Sequence, residues 1–176
     1  MVLYLIRHGR TDWNDKGLLQ GKSNIPLNDD GIKSAKKLHE YFLDKNIDLC
    51  FSSPLTRTLE TAEIIFPNLN IITDERIVER DLGKFEGKSY AEYHLNNFWN
   101  YKENSTYGEV EPVQDLLKRS DLFLKEIKQK YSDKNIAIVS HGAFLRALHY
   151  TIVGYNEQTD FEEFSIKNCE VKKYEI

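Results

Sequence analysis

The sequence predicts an α/β fold: a mostly parallel central sheet with helices on both faces. Short apolar runs at 2–7, 48–52 and 135–140 read as buried strands. Segments with helical spacing follow each of them through short connections, which is the rhythm of successive βα units. No internal repeat or low-complexity tract breaks that rhythm, and 176 residues suffice for one sizeable core.

The elements follow in order. Val2-Leu3-Tyr4-Leu5-Ile6-Arg7 is the first strand. The cap cluster Asn28-Asp29-Asp30 precedes Ile32, Ala35, Leu38, Phe42 and Leu43 at helical spacing, with Lys33, Lys36 and Lys37 on a solvated face. Asp48 to Ser52 is a strand, and a helix over 54–65 is expected to start with Ser53 as N-cap and Pro54 at its first position. Ile71-Ile72 is a short strand. Ser89-Tyr90-Ala91-Glu92 has capping-box spacing and predicts another helix start. After Pro112, the positions Val113, Leu116, Leu117, Phe123, Leu124 and Ile127 predict a long amphipathic helix. Residues 135–140 are the next strand and 143–152 the next helix. Alternation at 161–164 and 170–174 predicts two closing strands.

Chemistry collects where the strands end. The first strand runs into Arg7-His8-Gly9, and residues 135–140 run into His141-Gly142. The C-terminal ends of parallel strands are where such sheets place ligands. A third tip adds Arg57 in the first turn of a helix, a cation at a helix end that favours anions. An imidazole nucleophile beside guanidinium groups suits attack on a phosphoryl group.

Four ordered blocks resemble the histidine phosphatase superfamily, also called phosphoglycerate mutase-like. They are residues 7–14 with 17–21 and 26–31 behind them, 52–62, 77–87, and Val139-Ser140-His141-Gly142. The resemblance implies a three-layer α/β/α sandwich. It implies that His8 carries the phosphoryl group, that Arg7, Arg57 and His141 surround its oxygens, and that Glu79 protonates the leaving oxygen. Asn14, Gln20 and the backbone at Gly21 and Gly142 would add contacts to phosphate or substrate. Among the neighbouring acids, Glu86 would hold the turn and Asp81 would pair with Arg80 in solvent. No metal and no cofactor are implied.

Within that family the chain resembles the compact phosphatases, including the α-ribazole phosphatase and broad-specificity groups. The interval from Glu79 to His141 is short and lacks paired arginines, with Arg119 standing alone. Where many members carry Gly-Glu-Ser ahead of the long helix, this chain has Val110-Glu111-Pro112 or, two positions earlier, Gly108-Glu109-Val110. The expected function is therefore metal-independent hydrolysis of small phosphate monoesters. The alternatives are a cofactor-dependent phosphoglycerate mutase and a non-catalytic module that binds phospho-ligands. The whole chain, 1–176, is read as one domain. Segment 88–112, with Tyr90, Tyr93, Phe98, Trp99, Tyr101 and Tyr107, is read as an insertion over the site that selects substrate.

A net charge of −4 without a basic stripe argues against nucleic acid as partner. The apolar runs are too short to span a membrane, and the N-terminus reads as a strand rather than a signal peptide. Cys50 and Cys169 lack a CxxC context, so free thiols in the cytoplasm are expected. His39, His94 and His149 fit packing or surface positions. The partner expected is a small-molecule phosphate ester, and the oligomeric state is open.

Overall fold

The computed structural model describes residues 1–90 and 98–176. It contains β1 (Val2–Arg7), α1 (Asp12–Asp15), α2 (Asp29–Phe42), β2 (Leu49–Ser52), α3 (Thr56–Ile65), β3 (Ile71–Thr73), α4 (Val113–Lys130), β4 (Asn135–Ser140), α5 (Gly142–Val153) and β5 (Val171–Glu175). The strands form one sheet in the order β3-β2-β4-β1-β5, with β5 alone antiparallel.

Alternation along the strands explains the layers. On one face Leu3, Leu5, Ile136 and Ile138 pack against Leu116, Phe123 and Ile127 of α4 and Phe144 and Leu148 of α5. On the other, Tyr4, Ile6, Ala137 and Val139 meet Ala35 and Phe42 of α2 and Ala62 and Ile65 of α3. Both faces of the sheet are covered, so its strands read as continuous apolar runs. Each large aliphatic side chain buried this way stabilises the fold by about 1.5–3 kcal/mol.

Register places the chemistry. Arg7 lies opposite Ser140 in the β1–β4 ladder, and Ser52 lies opposite Val139 in the β2–β4 ladder. The next residues, His8, His141 and Ser53, therefore leave three adjacent strands side by side, with His141 in the middle.

Two local expectations are corrected. The helix after β2 starts at Thr56 with Leu55 as N-cap, not at Pro54 with Ser53 as N-cap. The Ser53 hydroxyl instead faces His141 (2.9 Å) and accepts weakly from the Leu55 N–H (3.3 Å). Residues 161–164 are turn, not strand. Their alternation reflects side-chain packing: Phe161 sits edge-on to Tyr150 and Phe164 stacks on His149 at 4.2 Å. The capping-box helix expected from Ser89 falls largely on residues outside the described set.

Asn28 caps α2 through the Gly31 N–H, and Lys33, Lys36 and Lys37 are exposed. The thiols of Cys50 and Cys169 are free. His39 bonds the Ile65 carbonyl, while His149 packs on aromatics and meets the Tyr174 hydroxyl. No helix among the described residues is long and apolar enough to cross a membrane.

Candidate active site

The loop after β1 must pass close to α2, and glycine permits it. A Cβ on Gly9 would stand 2.9 Å from the Gly31 carbonyl oxygen, and one on Gly31 would stand 2.2 Å from that of Arg10. The Gly9 N–H is held by Thr61 Oγ1 on α3 (3.0 Å). Asn168 Nδ2 donates to the His8 carbonyl at 2.9 Å. This scaffold fixes the His8 ring, whose Nδ1 meets the Gly9 carbonyl at 2.7 Å. A carbonyl only accepts, so Nδ1 carries the proton and Nε2 keeps its lone pair. Nε2 has no hydrogen-bond partner among the described residues.

His141 is built the opposite way. Its Nδ1 faces Arg57 Nε at 3.2 Å, and a guanidinium only donates. Its proton therefore sits on Nε2, against Ser53 Oγ at 2.9 Å. The two imidazoles are 5.2 Å apart. Burial, reinforced by Arg57 and Arg7, pushes His8 well below the ordinary histidine range. Burial and Arg57 do the same to His141.

Arg57 is wholly buried, and its fork spans two carbonyls, Gly21 (2.8 Å) and Ser23 (2.7 Å). Burial lowers its pKa to about 10, leaving it charged at neutral pH. Glu86 grips the same loop from the other side, accepting from the N–H groups of Lys22 and Ser23 and from the Ser23 hydroxyl. This matches the turn-holding role expected of it. Gly21 has φ +48°, and a Cβ there would collide with the Glu86 carboxylate at 2.0 Å. Arg7 donates through Nη1 to the Ile166 carbonyl, while its buried Nε has no partner.

Glu79 lies at the start of α5. Its carboxylate accepts from the N–H groups of Arg80, Ala143 and Phe144 at 2.9–3.1 Å. It also borders a cavity of about 210 Å³ together with Arg7, Gly142, Tyr90, Phe98 and Trp99. Gly142 borders it directly against Arg7, whose Cζ would lie 3.4 Å from a Cβ at that position, an ordinary contact. The structure thus gathers Arg7, Glu79 and Gly142 at the cavity, and His8, Arg57 and His141 at the adjoining strand tips.

The remaining expected residues divide. Gln20 is buried with an Oε1 that lacks a partner. The Gly21 carbonyl is already taken by Arg57. Asn14 completes a capping box with Thr11 at α1, its Oδ1 accepting from the Thr11 backbone.

One charge assignment is corrected. Arg80 is not in solvent with Asp81. It is 1% exposed, donates to the Glu111 carbonyl and lies over the Trp99 ring, whereas Asp81 pairs with Lys22 and holds the Gly83 N–H. Arg119, the single arginine of α4, is firmly anchored. It forks onto Glu111 and donates to the carbonyls of Arg76, Val78 and Glu79, fixing the backbone that presents Glu79. Glu111, in the position where the Gly-Glu-Ser pattern is missing, thus anchors Arg119. Of the aromatics in 88–112, Tyr90, Phe98 and Trp99 reach the cavity. Tyr101 stacks on Phe161, Tyr107 is exposed, and Tyr93 lies outside the described residues.

Thr61, Asn168, Ser53, Arg119 and Arg146 are site residues that pattern reading passes over. Thr61 and Ser53 do lie within the second block, between residues 52 and 62. Asn168 and Arg146 carry no local signal.

A family model described as histidine phosphatase superfamily (branch 1) matches residues 3–176. The chain belongs to the histidine phosphatase superfamily. It is 38% identical over 152 residues to the Bacillus subtilis protein named uncharacterized phosphatase PhoE, covering 85% of this chain and 76% of that one. It is 34% identical to putative phosphoserine phosphatase 2 of Hydrogenobacter thermophilus, covering 86% and 78%. Among solved structures, phosphoserine phosphatase of Entamoeba histolytica with 3-phosphoglyceric acid superposes with a TM-score of 0.83 at 28% identity, covering 98% and 89%. The α-ribazole phosphatase of Shigella flexneri gives 0.85 at 26%, covering 100% and 91%. The three-layer, mostly parallel architecture is that of the superfamily.

Proposed function

We propose that this histidine phosphatase hydrolyses small-molecule phosphate monoesters in two half-reactions on His8, without a metal. The observation that carries the reading is the free Nε2 lone pair of His8 beside Arg7 and the Arg57–His141 pair. In the first half-reaction Nε2 attacks phosphorus and the ester P–O bond breaks. The leaving oxygen takes a proton from Glu79. Positive charge arising on the ring is stabilised at Nδ1–H by the Gly9 carbonyl. In the second, water attacks phosphorus, the P–N bond breaks, and Glu79 takes the water's proton. Arg7, Arg57 and His141 would offset charge on the phosphoryl oxygens, with Asn14, Gln20 and the backbone of Gly21 and Gly142 as supporting contacts.

The Glu79 carboxyl is positioned for this exchange by the N–H groups of Arg80, Ala143 and Phe144. Tyr90, Phe98 and Trp99 support a selecting role for segment 88–112 within a single domain. The free thiols fit a reducing compartment, and we place the enzyme in the cytoplasm.

The test is phosphate release from a panel of esters with EDTA present, alongside acid-labile, base-stable label on the protein from a radiolabelled ester. Wild type should release phosphate and take up label, and His8→Ala should do neither. Turnover abolished by EDTA, or label retained by His8→Ala, would sink the mechanism. Efficient interconversion of phosphoglycerates in place of hydrolysis would favour a mutase.

A further inference from the structure

His8 sits one residue past the end of β1, where the strand ladders stop, yet its backbone is held on both sides. Its N–H donates to the Ser140 carbonyl of β4 at 3.0 Å. On the β5 side a side chain continues the ladder. Asn168 Nδ2 donates to the His8 carbonyl at 2.9 Å and to the Gly9 carbonyl at 3.3 Å. A weaker third contact, at 3.4 Å, goes to Asn14 Oδ1. The turn that carries Asn168 is pinned to the same strand. The Cys169 N–H meets the Arg7 carbonyl at 3.0 Å, and the Glu170 N–H closes the turn on the Lys167 carbonyl. Cys169 adopts φ +54° there, a left-handed conformation that costs any residue with a Cβ.

The Gly9 carbonyl decides the chemistry of the ring. It accepts the His8 Nδ1–H at 2.7 Å, which leaves the lone pair on Nε2. The close pass of Gly31 requires glycine at position 9, and glycine also lets its peptide unit rotate. The direction of this carbonyl must therefore be set by another group. Thr61 holds the Gly9 N–H, on the other side of the Cα. Apart from the ring itself, Asn168 is the group among the described residues that bonds the carbonyl. A carbonyl oxygen has two lone pairs, so it serves both donors at once.

We propose that Asn168 is a positioning residue for phosphoryl transfer: its amide holds the Gly9 carbonyl against the His8 ring, keeping the proton on Nδ1 and the lone pair on Nε2. This rests on the proposed role of His8 as nucleophile. Asn168 acts through the Gly9 carbonyl and touches no reacting atom. Without it the ring is free to carry its proton on Nε2, where it cannot attack.

The test compares wild type with Asn168→Ala by nitrogen-15 shifts of the imidazole rings and by single turnover of p-nitrophenyl phosphate. Wild type should show His8 protonated on Nδ1 alone. In the variant both His8 nitrogens should move toward the average of protonated and unprotonated values, while those of His141, held by Arg57 and Ser53, stay in place. Nitrophenolate release at saturating ester should slow by about tenfold or more with the half-saturating concentration little changed, because ring geometry is needed for attack rather than for holding the ester. A side chain that only fastens the C-terminal segment to β1 would lower the melting temperature and leave both readouts unchanged. That result, or a wild-type His8 without a proton on Nδ1, overturns the assignment. Should Asn168→Ala not fold, Asn168→Ser keeps a hydroxyl in the turn but is one bond shorter, and the same two readouts decide. Should wild type hydrolyse no ester, the phosphatase reading fails. The nitrogen shifts need no turnover and still decide whether Asn168 sets the tautomer.

Discussion

His8 and His141 look alike in sequence, each an apolar strand followed by His-Gly, yet their rings are protonated on opposite nitrogens. At His8 the partner of Nδ1 is a carbonyl, which forces the proton onto Nδ1 and frees Nε2. At His141 the partner of Nδ1 is Arg57, which forces the proton onto Nε2. The difference comes from position in the sheet. β4 lies between β1 and β2, so His141 is within reach of the α3 arginine. One tip is thereby equipped to give an electron pair and the other to give a hydrogen bond, without either ring being charged.

The largest expected effect separates those roles. His8→Asn keeps a donor where Nδ1–H was and deletes the proposed nucleophile, so turnover should fall by at least about 10³-fold and the labelled phosphoenzyme should vanish. His141→Gln keeps a donor near the Nε2 position. It should slow turnover by about 10²-fold, on the scale of losing one oxyanion donor, while the label still appears. Equal losses of label in both variants would mean that the two tips do not differ as their hydrogen bonds imply.

Next in size is the contrast between two acids one short loop apart. Glu79→Gln should cost about 10²-fold or more on alkyl phosphates, the usual range for general acid catalysis. On p-nitrophenyl phosphate the phosphorylation step should lose little, since nitrophenolate leaves unprotonated, so the burst of nitrophenolate should persist while phosphoenzyme accumulates for want of a base. Glu86→Gln weakens the grip on Lys22 and Ser23, and so the loop that Arg57 also holds. Its losses should be smaller and independent of the leaving group. Selectivity arising from Glu86 instead would move the acid to that position.

Legibility follows the range of the interactions. The strand tips, the helix that carries Arg57 and the long α4 are readable because apolar periodicity and glycine act locally. Arg80 beside Asp81 reads as a solvent pair because adjacency is all that the chain displays there. Its burial depends on Trp99 and on Glu111, about thirty positions away. The partners of Arg119 are hidden for the same reason: Glu111 and the carbonyls of Arg76, Val78 and Glu79 surround it. Residues 161–164 alternate like a strand because their aromatics pack on α5 neighbours. Ser53 resembles an N-cap, but its hydroxyl is taken by a histidine 88 positions away.

A smaller effect appears in stability against pH. Burial first, and the arginines second, hold His8 and His141 below the ordinary value of 6.5 in the folded protein. As pH falls below about 6.5 the unfolded chain binds protons that the folded chain refuses, so stability drops with acid, by up to about 1.4 kcal/mol per pH unit for each group. The stability is fully present above that value and stops falling once the folded protein's own lowered pKa is passed. Melting temperature should be level from pH 8 to 7 and decline from 6.5 to 5, with a shallower decline in His141→Gln. A flat profile in wild type would mean that the rings are not held neutral by burial.

The smallest expected effect tests the tautomer of His141 directly. Ser53 Oγ is the acceptor that the Nε2–H needs while the site lacks substrate, and Ser53→Ala removes it. A neutral hydrogen bond is worth about 0.5–1.5 kcal/mol, so turnover should fall only about threefold to tenfold. Arg57 still donates to Nδ1 in the variant, so the proton should stay on Nε2. Nitrogen-15 chemical shifts of the imidazole rings report this: in wild type and Ser53→Ala alike, His141 should show a protonated Nε2 and His8 a protonated Nδ1. Should His141 prove to carry its proton on Nδ1, the bond to Arg57 would have to be broken in solution. The two tips would then share one tautomer, and their division of labour would have to come from the phosphate rather than from the fold.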